Sequence, residues 1–557
     1  ITTQVVTTEQ VFNEFGGGKQ DVTAIRDFVR FLYDQAGSQL KNVLLFGRGS
    51  YDYKNRVLGN TNYVPIYESR NSLSPLETYG SDDYYTFLEA NEGEWSESPA
   101  QNHTMDVSVG RLPVKTLEEA RLVVDKLIEY DSNPSGFGPW QNEILFVADD
   151  GDFNIHNSQA DQLANSIELL NSNLIAHKFF LDSFDQLNKP SGQSSPAANK
   201  ALDLDVRKGA LIVNYTGHGS ERVWMDERIL DETLVQSWKN GPQYPLFVTA
   251  TCEFGRHDDP FQITTGELTL LQKKGGSIGL VTSARPVNSS TNFTLNKAFY
   301  ESLFTKSQNK FRELGFVFRE TKNKSTSGVA NRNFSLLADP SMHLAMAEND
   351  IVFDEVKTNS GSSELKGLSH VIIKGHIEKE AVAQTSFSGE LTLTLFSEEV
   401  NRVTKGDENP PFNYSERSNT LFRGKSSIDQ GVFEIEFIMP KNIPAELISG
   451  KFSGFAFDAN GEFANGSSIN SLIGGLEPAP VADNTAPSIR LFLGDTTFIP
   501  GGIVGPNTKI VAFLSDEHGI NLSASPTGNE IKASLDGSPT VILNDYYYSN
   551  PDNYKNG

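Results

Sequence analysis

The chain of 557 residues contains a single cysteine, Cys252. One cysteine excludes an internal disulfide, and its rarity does not distinguish an oxidising from a reducing compartment. No group of histidines and cysteines has the spacing of a zinc site. No apolar run approaches the roughly 18 residues that a membrane-spanning helix needs.

Positive charge is also scarce relative to negative charge. The chain has 47 Lys and Arg residues against 71 Asp and Glu residues, a formal net charge of −24. Phosphate groups would repel so acidic a protein, so we expect no nucleic acid among its partners. The first residues, Ile-Thr-Thr-Gln-Val-Val, include no initiator methionine, basic segment or signal-peptide core. We expect the chain to be the interior of a longer protein.

The cysteine and one histidine stand at the ends of two apolar runs. Cys252 ends the run at 244–252, and His218, 34 positions upstream, follows the run at 210–217. We expect both runs to be strands of a parallel sheet, whose functional sites lie at the carboxyl ends of strands. An imidazole beside a thiol takes its proton and generates the nucleophilic thiolate. The pattern predicts a Cys–His peptidase pair, although a lone cysteine is more often a small buried hydrophobic residue.

Glycines on both sides of His218 support a catalytic role for this turn. Gly217 and Gly219 allow the backbone to turn sharply and leave its N–H groups accessible. One such N–H, together with the N–H of Cys252, would form an oxyanion hole for a tetrahedral intermediate.

Acidic residues follow a third strand-like run at 145–148. Asp149 and Asp150 come directly after it, and Asp152 follows two positions later. One carboxylate could accept the second N–H of the imidazole; we favour Asp150, with Asp149 and Asp152 as alternatives. The same carboxylates lack EF-hand spacing but suit a structural calcium ion, while no cofactor is required for the chemistry.

Residues 1 to about 345 alternate between strand-like and helix-like segments, which predicts an α/β fold with a parallel sheet covered on both faces. A Pro- and Gly-rich break at 134–139 suggests a first α/β subdomain (1–139) and a catalytic α/β subdomain (140–348). We predict strands at 42–47, 105–110, 143–149, 174–180, 209–215, 244–251 and 277–283. We predict helices at 21–35, 116–130, 156–172, 196–207, 229–239, 263–274, 290–304 and 309–322.

From about residue 350 the pattern changes to β segments separated by turns, some with clear period-two alternation. This predicts an immunoglobulin-like β-sandwich at 349–476. A Pro- and Gly-containing linker at 474–487 leads to a second β domain at 477–557, which we expect to be truncated before its last strands.

Two of the site segments resemble the gingipain family of cysteine peptidases. The sequence Asn-Tyr-Thr-Gly-His-Gly-Ser at 214–220 is similar to the family's histidine motif, and 247–252 is similar to its cysteine strand. The resemblance implies a caspase-like parallel-sheet sandwich in two subdomains, followed by an immunoglobulin-like domain. It implies that Cys252 is the nucleophile and His218 the base. It also implies that Gly219 and Cys252 supply oxyanion N–H groups and that Asp150 orients the histidine.

Further segments resemble the members of this family that act as surface sortases of the type IX secretion system, namely 81–85, 109–113, 251–256 and 336–342. This implies removal of the C-terminal sorting domain from cargo proteins at the outer-membrane surface of a bacterium, and transfer of the cargo to an amine of anionic lipopolysaccharide. The implied partners are the cargo proteins, a PorV-like outer-membrane protein, other type IX components and lipopolysaccharide. A gingipain-like secreted endopeptidase and a catalytically idle surface assembly or adhesin module remain alternatives.

The chain departs from the family at two places. Arginine-specific gingipains have an acidic residue in the P1 pocket where this chain has Phe153 or Asn154, although Asp152 lies close by. Burying a cation without a charge partner is costly, so we expect a substrate pocket for small or uncharged P1 residues. His257 stands where a sortase of this family would have an aromatic residue. It is close enough to Cys252 in sequence to be a second possible imidazole, but we expect it to be a solvated turn histidine.

Overall fold

The structure is a computed structural model that describes residues 2–71, 73–89, 92, 103–190, 192–326, 328–478, 485–505, 508–523, 530–537 and 540–557. The chain forms two compact units, Ile1–Met346 together with Arg402–Tyr414, and Ala347–Asn401 together with Ser415–Gly557. Residues 479–484 of the expected linker lie outside the described residues. The finer division into four domains stays a prediction.

Helices and strands alternate along the first unit, as the sequence pattern predicts. Its helices are α1 (Thr8–Phe15), α2 (Val22–Ala36), α3 (Leu117–Ser132), α4 (Ile155–Leu170), α5 (Pro196–Lys208), α6 (Glu232–Ser237), α7 (Thr265–Leu271), α8 (Ser289–Leu303), α9 (Leu314–Lys324) and α10 (Val329–Arg332). Its strands are β1 (Asn42–Phe46), β2 (Tyr67–Glu68), β3 (Gly80–Ser81), β4 (Ser108–Leu112), β5 (Glu143–Ala148), β6 (Ile175–Phe180), β7 (Leu187–Lys189), β8 (Gly192–Ser194), β9 (Ile212–Thr216), β10 (Leu246–Ala250), β11 (Gly279–Ser283) and β12 (Phe334–Leu337). None of the helices in the described part of the chain has the length and apolarity to cross a membrane.

Within the described residues, the main sheet has the strand order β12-β11-β10-β9-β5-β6. Within this sheet β6, β5, β9, β10 and β11 are parallel, which confirms the predicted parallel sheet, and β12 pairs antiparallel with β11. From β5 the chain builds β6 on one side and then returns to build β9 on the other. The order of the sheet therefore reverses between β5 and β9, and in open α/β sheets such a reversal opens a crevice at the carboxyl ends of the strands.

The strands of this sheet are apolar on both faces, because helices cover both. Ile144 and Phe146 of β5 contribute to one core cluster, whereas Leu145 and Val147 contribute to the cluster on the opposite face. Side chains alternate in direction along a strand, so a strand that is buried on both faces reads as a continuous apolar run. This is why the strands that carry the site were recognisable in the sequence.

A two-stranded parallel sheet of β1 and β4 belongs to the N-terminal half of the unit, and buried ion pairs join this half to the C-terminal half. Arg48 Nε donates to Glu267 Oε1 over 2.7 Å, and both side chains are almost inaccessible to solvent. Arg285 forms an ion pair with Asp258 and lies 3.1 Å from Glu68 Oε2. The loop that follows Cys252 is thus held by charges from both halves.

The second unit consists of β strands among its described residues. They are β13 (Asn349–Thr358), β14 (Glu364–Gly367), β15 (His370–Lys379), β16 (Val382–Ala383), β17 (Gly389–Phe396), β18 (Val400–Val403), β19 (Asn413–Glu416), β20 (Thr420–Asp429), β21 (Val432–Ile438), β22 (Ile448–Ser449), β23 (Lys451–Asp458), β24 (Phe463–Ser468), β25 (Leu472–Leu476), β26 (Ser488–Leu493), β27 (Ile510–Ser515), β28 (Lys532–Ala533) and β29 (Val541–Ile542). The chain segment that joins β18 to β19 folds with the first unit.

Seven strands of the second unit close on one another in the order β13-β24-β23-β17-β20-β21-β15, because β13 also pairs with β15. The closed circuit surrounds an apolar core that includes Leu391, Leu393 and Phe452. Closure leaves no unpaired edge within the circuit. The expected β domain after the α/β unit is confirmed, and it is a closed barrel or sandwich. Its immunoglobulin-like character stays a prediction.

The buried Arg48–Glu267 pair provides a test of how the two halves are joined. Arg48→Met should lower the free energy of unfolding by about 3–5 kcal/mol, because it leaves the Glu267 carboxylate buried without its cation. Urea denaturation followed by circular dichroism measures this loss. Arg30→Met is the matched control, since Arg30 is a more exposed arginine 3.9 Å from Asp34, and exposed pairs contribute roughly 0–1 kcal/mol. Equal losses in the two variants would contradict the assignment.

Candidate active site

Three candidate residues occupy equivalent positions at the ends of three neighbouring strands. In the register of the sheet, the last paired residues of β5, β9 and β10 are Ala148, Thr216 and Ala250. Asp150, His218 and Cys252 each follow two positions later. All three therefore emerge at the same edge of the sheet, and the reversal of strand order lies between β5 and β9. The sequence prediction that they meet at one sheet edge is in accord with this register.

The backbone on both sides of His218 is fixed by hydrogen bonds. Its N–H donates to Asp149 Oδ2 over 2.8 Å, and Asp149 Oδ1 accepts the N–H of Asp150 over 2.9 Å. The carbonyl of His218 accepts from the Tyr215 hydroxyl and from the N–H of Met225. Asp149 thus joins the ends of β5 and β9, and the histidine turn has little freedom to move relative to β5.

The imidazole of His218 contacts Asp152 rather than Asp150. Its Nε2 lies 2.9 Å from Asp152 Oδ2, and both side chains are more than half exposed. Because a carboxylate accepts, this contact places the proton on Nε2 and leaves Nδ1 as the basic nitrogen. The contact that we expected from Asp150 is made by Asp152, one of the alternatives that the sequence left open.

The side chain and the carbonyl of Asp150 have other partners. Its Oδ2 accepts from the side-chain amide of Gln186, and its backbone carbonyl accepts from the amide of Asn409. Burial raises the pKa of Asp150 to about 7, with further contributions from nearby Asp149 and Glu227, while the bond from Gln186 lowers it. Glu227 is affected in the same way, and burial raises its pKa to about 7.

Cys252 is held in this structure as a thiol. Its Sγ is 3.6 Å from the carbonyl oxygen of Val287, to which the thiol donates. Burial raises the pKa of Cys252, and the carboxylate of Glu253 adds to the rise. A raised pKa disfavours the thiolate, so the nucleophile needs a base to remove its proton.

The turn after His218 lies directly against the segment that carries Cys252. A Cβ added to Gly219 would be 2.5 Å from Thr251 Oγ1, a distance that no side chain can tolerate without a shift. Only glycine allows this approach. Among the described residues, neither the N–H of Gly219 nor that of Cys252 has a hydrogen-bond acceptor. Both N–H groups remain available, as an oxyanion hole requires.

The loop after β5 has an unusual backbone. Asp152, Phe153 and Asn154 have φ angles of 55°, 57° and 63°, in the left-handed region that costs non-glycine residues roughly 1–2 kcal/mol each. Phe153 is 91% exposed, and the amide of Asn154 donates to the carbonyl of Pro410 over 2.6 Å. Phe153 therefore presents an open aromatic surface, and the Asn154 amide is already engaged. Their assignment to a P1 pocket stays a prediction.

His257 is not a solvated turn residue, and that expectation is wrong. Its side chain is fully buried, its Nδ1 lies 3.0 Å from the carbonyl of Gly255, and its Nε2 lies 3.8 Å from Asp82 Oδ2. Burial lowers the pKa of His257. The residue packs the loop after Cys252 against the N-terminal half, and its surroundings could not be foreseen from the local turn sequence.

Two residues near the site were missed by the sequence analysis. His156 is 5% exposed, and its Nε2 lies 3.5 Å from Asp152 Oδ2; its ring lies edge-on to that of His218, with centroids 5.3 Å apart. Its spacing of four from Asp152 on the start of α4 was the available signal. Asn409, more than 250 positions from Asp150, gave no local signal at all.

Among the residues that the structure describes, two groups of side chains could hold a metal ion. Asp149, Asp150 and Glu227 bring carboxylate oxygens within 4.8 Å of one another, and Asp149, His156 and His218 do the same with mixed donors. The first set has the hard oxygen ligands that calcium prefers, and the second resembles the donors of transition metals.

A family model for Peptidase family C25 matches residues 1–345, well over half of the chain. The chain belongs to this family. It is therefore a gingipain-family cysteine peptidase. The segments that carry His218 and Cys252 lie inside the matched region.

Individual relatives are more distant. Gingipain R2 of Porphyromonas gingivalis is 25% identical over 260 residues, which cover 46% of this chain and 30% of that protein. This chain therefore spans less than a third of that relative's length. Similar solved structures include the complex of the pro- and mature domains of RgpB from the same organism, with 16% identity, 85% and 93% coverage of the two chains and a TM-score of 0.48. Dimeric latent PorU from that organism has 21% identity, 97% and 47% coverage and a TM-score of 0.38.

The raised pKa of Asp150 predicts a pH-dependent stability. The folded protein holds this proton up to about pH 7, whereas an unfolded aspartate has a pKa of 3.8. The folded state therefore binds more protons between these values, and its free energy of unfolding falls as the pH rises from about 4 to about 7. Asp150→Asn should remove this loss. The free energy of unfolding of the variant minus that of wild type should therefore be at least about 2 kcal/mol higher at pH 8 than at pH 5.

Urea denaturation at the two pH values measures the difference. Asp34→Asn, which changes an aspartate that is 65% exposed on α2, should leave it nearly unchanged. A constant difference between Asp150→Asn and wild type across this range would show that Asp150 is not protonated in the folded state.

Proposed function

We propose that the chain cleaves peptide bonds with Cys252 as nucleophile and His218 as general base. The observation that carries the proposal is that Cys252 and His218 each follow the last paired residue of adjacent parallel strands by two positions. The close approach of Gly219 to Thr251 supports it, since it brings the two turns together.

In the proposed reaction, the thiol leaves the carbonyl of Val287 and transfers its proton to Nδ1 of His218. The thiolate attacks the substrate carbonyl, and the N–H groups of Gly219 and Cys252 stabilise the oxyanion. Asp152 holds Nε2–H, fixes the tautomer and stabilises the imidazolium that forms. The imidazolium then protonates the leaving amine, and the acyl group remains on Cys252 as a thioester.

We propose further that the acyl acceptor is an amine. The segments 81–85, 109–113, 251–256 and 336–342 resemble PorU, the surface sortase of the type IX secretion system. The substrate would be a cargo protein that loses its C-terminal sorting domain, and the acceptor an amine of anionic lipopolysaccharide. The protein would act at the outer-membrane surface, with a PorV-like protein and other type IX components. No cofactor takes part, and calcium at Asp149, Asp150 and Glu227 would be structural.

Two other functions are compatible with family membership. In a secreted endopeptidase, water rather than an amine would resolve the thioester. In a surface assembly or adhesin module the fold would be retained without turnover, and the protonated thiol beside Val287 would then be its permanent state. We propose that either peptidase would prefer small or uncharged P1 residues, because Phe153 or Asn154 stands where arginine-specific gingipains have an acidic residue.

The decisive experiment follows a cargo protein by mass spectrometry, with and without an added amine. We expect wild type to release the sorting domain, and to leave the amine attached to the new cargo C-terminus when it is present. Cys252→Ala and His218→Ala should each abolish release, because thiol and imidazole act as one unit. Val403→Thr, at an exposed position on β18, is the control that should retain it.

Hydrolysed cargo in the presence of amine would favour the endopeptidase. Complete processing by Cys252→Ala would refute the peptidase proposal, and no processing by wild type would favour the assembly module.

The contact between Asp152 and His218 predicts which carboxylate matters for turnover. Asp152→Asn should lower kcat by roughly two to four orders of magnitude, by analogy with the loss of the orienting carboxylate in other triads. Asp150→Asn keeps its shape and its bond from Gln186, and should lower kcat less than tenfold. Steady-state kinetics with a fluorogenic peptide compares the two variants. The reverse order would restore Asp150 as the orienting residue.

A further inference from the structure

A segment far along the sequence folds onto the loop that presents Asp152. Residues 402–414, here called the arm, interrupt the strands of the second unit between β17 and β20 yet belong to the first unit. The arm is the turn between β18 and β19 with the adjoining ends of both strands. No part of the chemistry proposed above uses it.

Buried Asp182 anchors the arm just beyond β6. Its two carboxylate oxygens accept the N–H groups of Gly406 and Asp407 over 2.7 and 2.8 Å, and its carbonyl accepts the N–H of Lys405 over 2.8 Å. Phe412 packs on Phe180 at the end of β6, with ring centroids 5.9 Å apart. The arm is therefore fixed to the sheet edge by polar and apolar contacts together.

The tip of the arm then reaches the loop after β5 from two directions. The side-chain amide of Asn409 donates to the carbonyl of Asp150, and the carbonyl of Pro410 accepts the amide of Asn154 over 2.6 Å. These two contacts lie on either side of Asp152. Asp152, whose carboxylate accepts Nε2–H of His218, thus lies in sequence between the two residues that the arm holds.

The loop needs such support because its backbone is unfavourable. Asp152, Phe153 and Asn154 all have positive φ angles although none is glycine. Non-glycine residues keep such left-handed φ angles only where contacts with the surrounding structure hold them there. Strain of this kind is concentrated at functional sites. The arm supplies a hydrogen bond just before the strained turn, at Asp150, and another at its end, at Asn154.

We infer that the arm is a positioning element for the peptidase, with Asn409 as its key residue: it holds the 152–154 turn in the conformation that keeps Asp152 on His218. The inference rests on the proposed function. Asn409 does not touch the reacting atoms and acts through Asp152. A small displacement of a positioned group can cost up to about a hundredfold in rate.

The test measures kcat and KM of Asn409→Leu with a fluorogenic peptide, alone and combined with Asp152→Asn. We expect kcat to fall about tenfold to a hundredfold, with KM within about threefold. In the Asp152→Asn background the same change should have less than a twofold effect, because the residue through which it acts is already lost. Asn409→Gln, which keeps a donor amide, should recover part of kcat.

Controls separate the alternatives. Val403→Thr changes an arm side chain that is 59% exposed and should leave kcat and KM unchanged, and melting temperatures identify unfolded variants. If Asn409→Leu does not fold, Asp182→Asn, which turns one acceptor of the anchor into a donor, takes its place with the same expectation. Additive losses in the double variant, or an unchanged kcat in Asn409→Leu, would overturn the inference. Wild type as inactive as Cys252→Ala would instead overturn the proposed function.

Discussion

The carboxylate of Asp149 is the constraint on which the site depends. One oxygen accepts the N–H of Asp150 and the other accepts the N–H of His218, so a single side chain joins the ends of β5 and β9. The sheet order reverses between these two strands, because the chain continues from β5 to β6 on one side and later adds β9 on the other. The N–H of Asp149 also donates to the carbonyl of Thr216 over 3.1 Å, so the side chain extends the pairing of β5 and β9 as far as His218. The backbone of His218 therefore has a fixed position relative to the residues that follow β5.

The parts of this arrangement that local sequence determines were predictable, and the parts set by distant contacts were not. Apolar runs that lead to Cys252 and His218 identified two strands and the edge at which they end, since burial on both faces leaves a continuous apolar run. The choice among Asp149, Asp150 and Asp152 could not be made in this way. It depends on a left-handed turn at 152–154, which is stabilised by contacts with residues 409 and 410. His257 was misjudged for the same reason, because its burial comes from the N-terminal half.

The site carries several unfavourable features at once. It holds two buried carboxyl groups with raised pKa values, a protonated thiol and three residues with strained backbone. Buried Arg48, Arg111 and Arg285, each paired with a carboxylate, lie in the surrounding structure. Such an arrangement is typical of functional sites, where rules that hold elsewhere in a fold are broken and the rest of the structure offsets the cost.

The buried ion pairs between the two halves of the first unit also determine what a cut in the chain would do. The 134–139 segment suggested a domain boundary, but Glu68 and Arg48 lie before it and their partners Arg285 and Glu267 lie after it. A nick in that segment would sever the backbone while leaving these charges buried against each other. Separation would expose unpaired charges and apolar surface, so the fragments should remain associated as one folded particle. A chain cleaved there would in this way keep the loop that follows Cys252 in place.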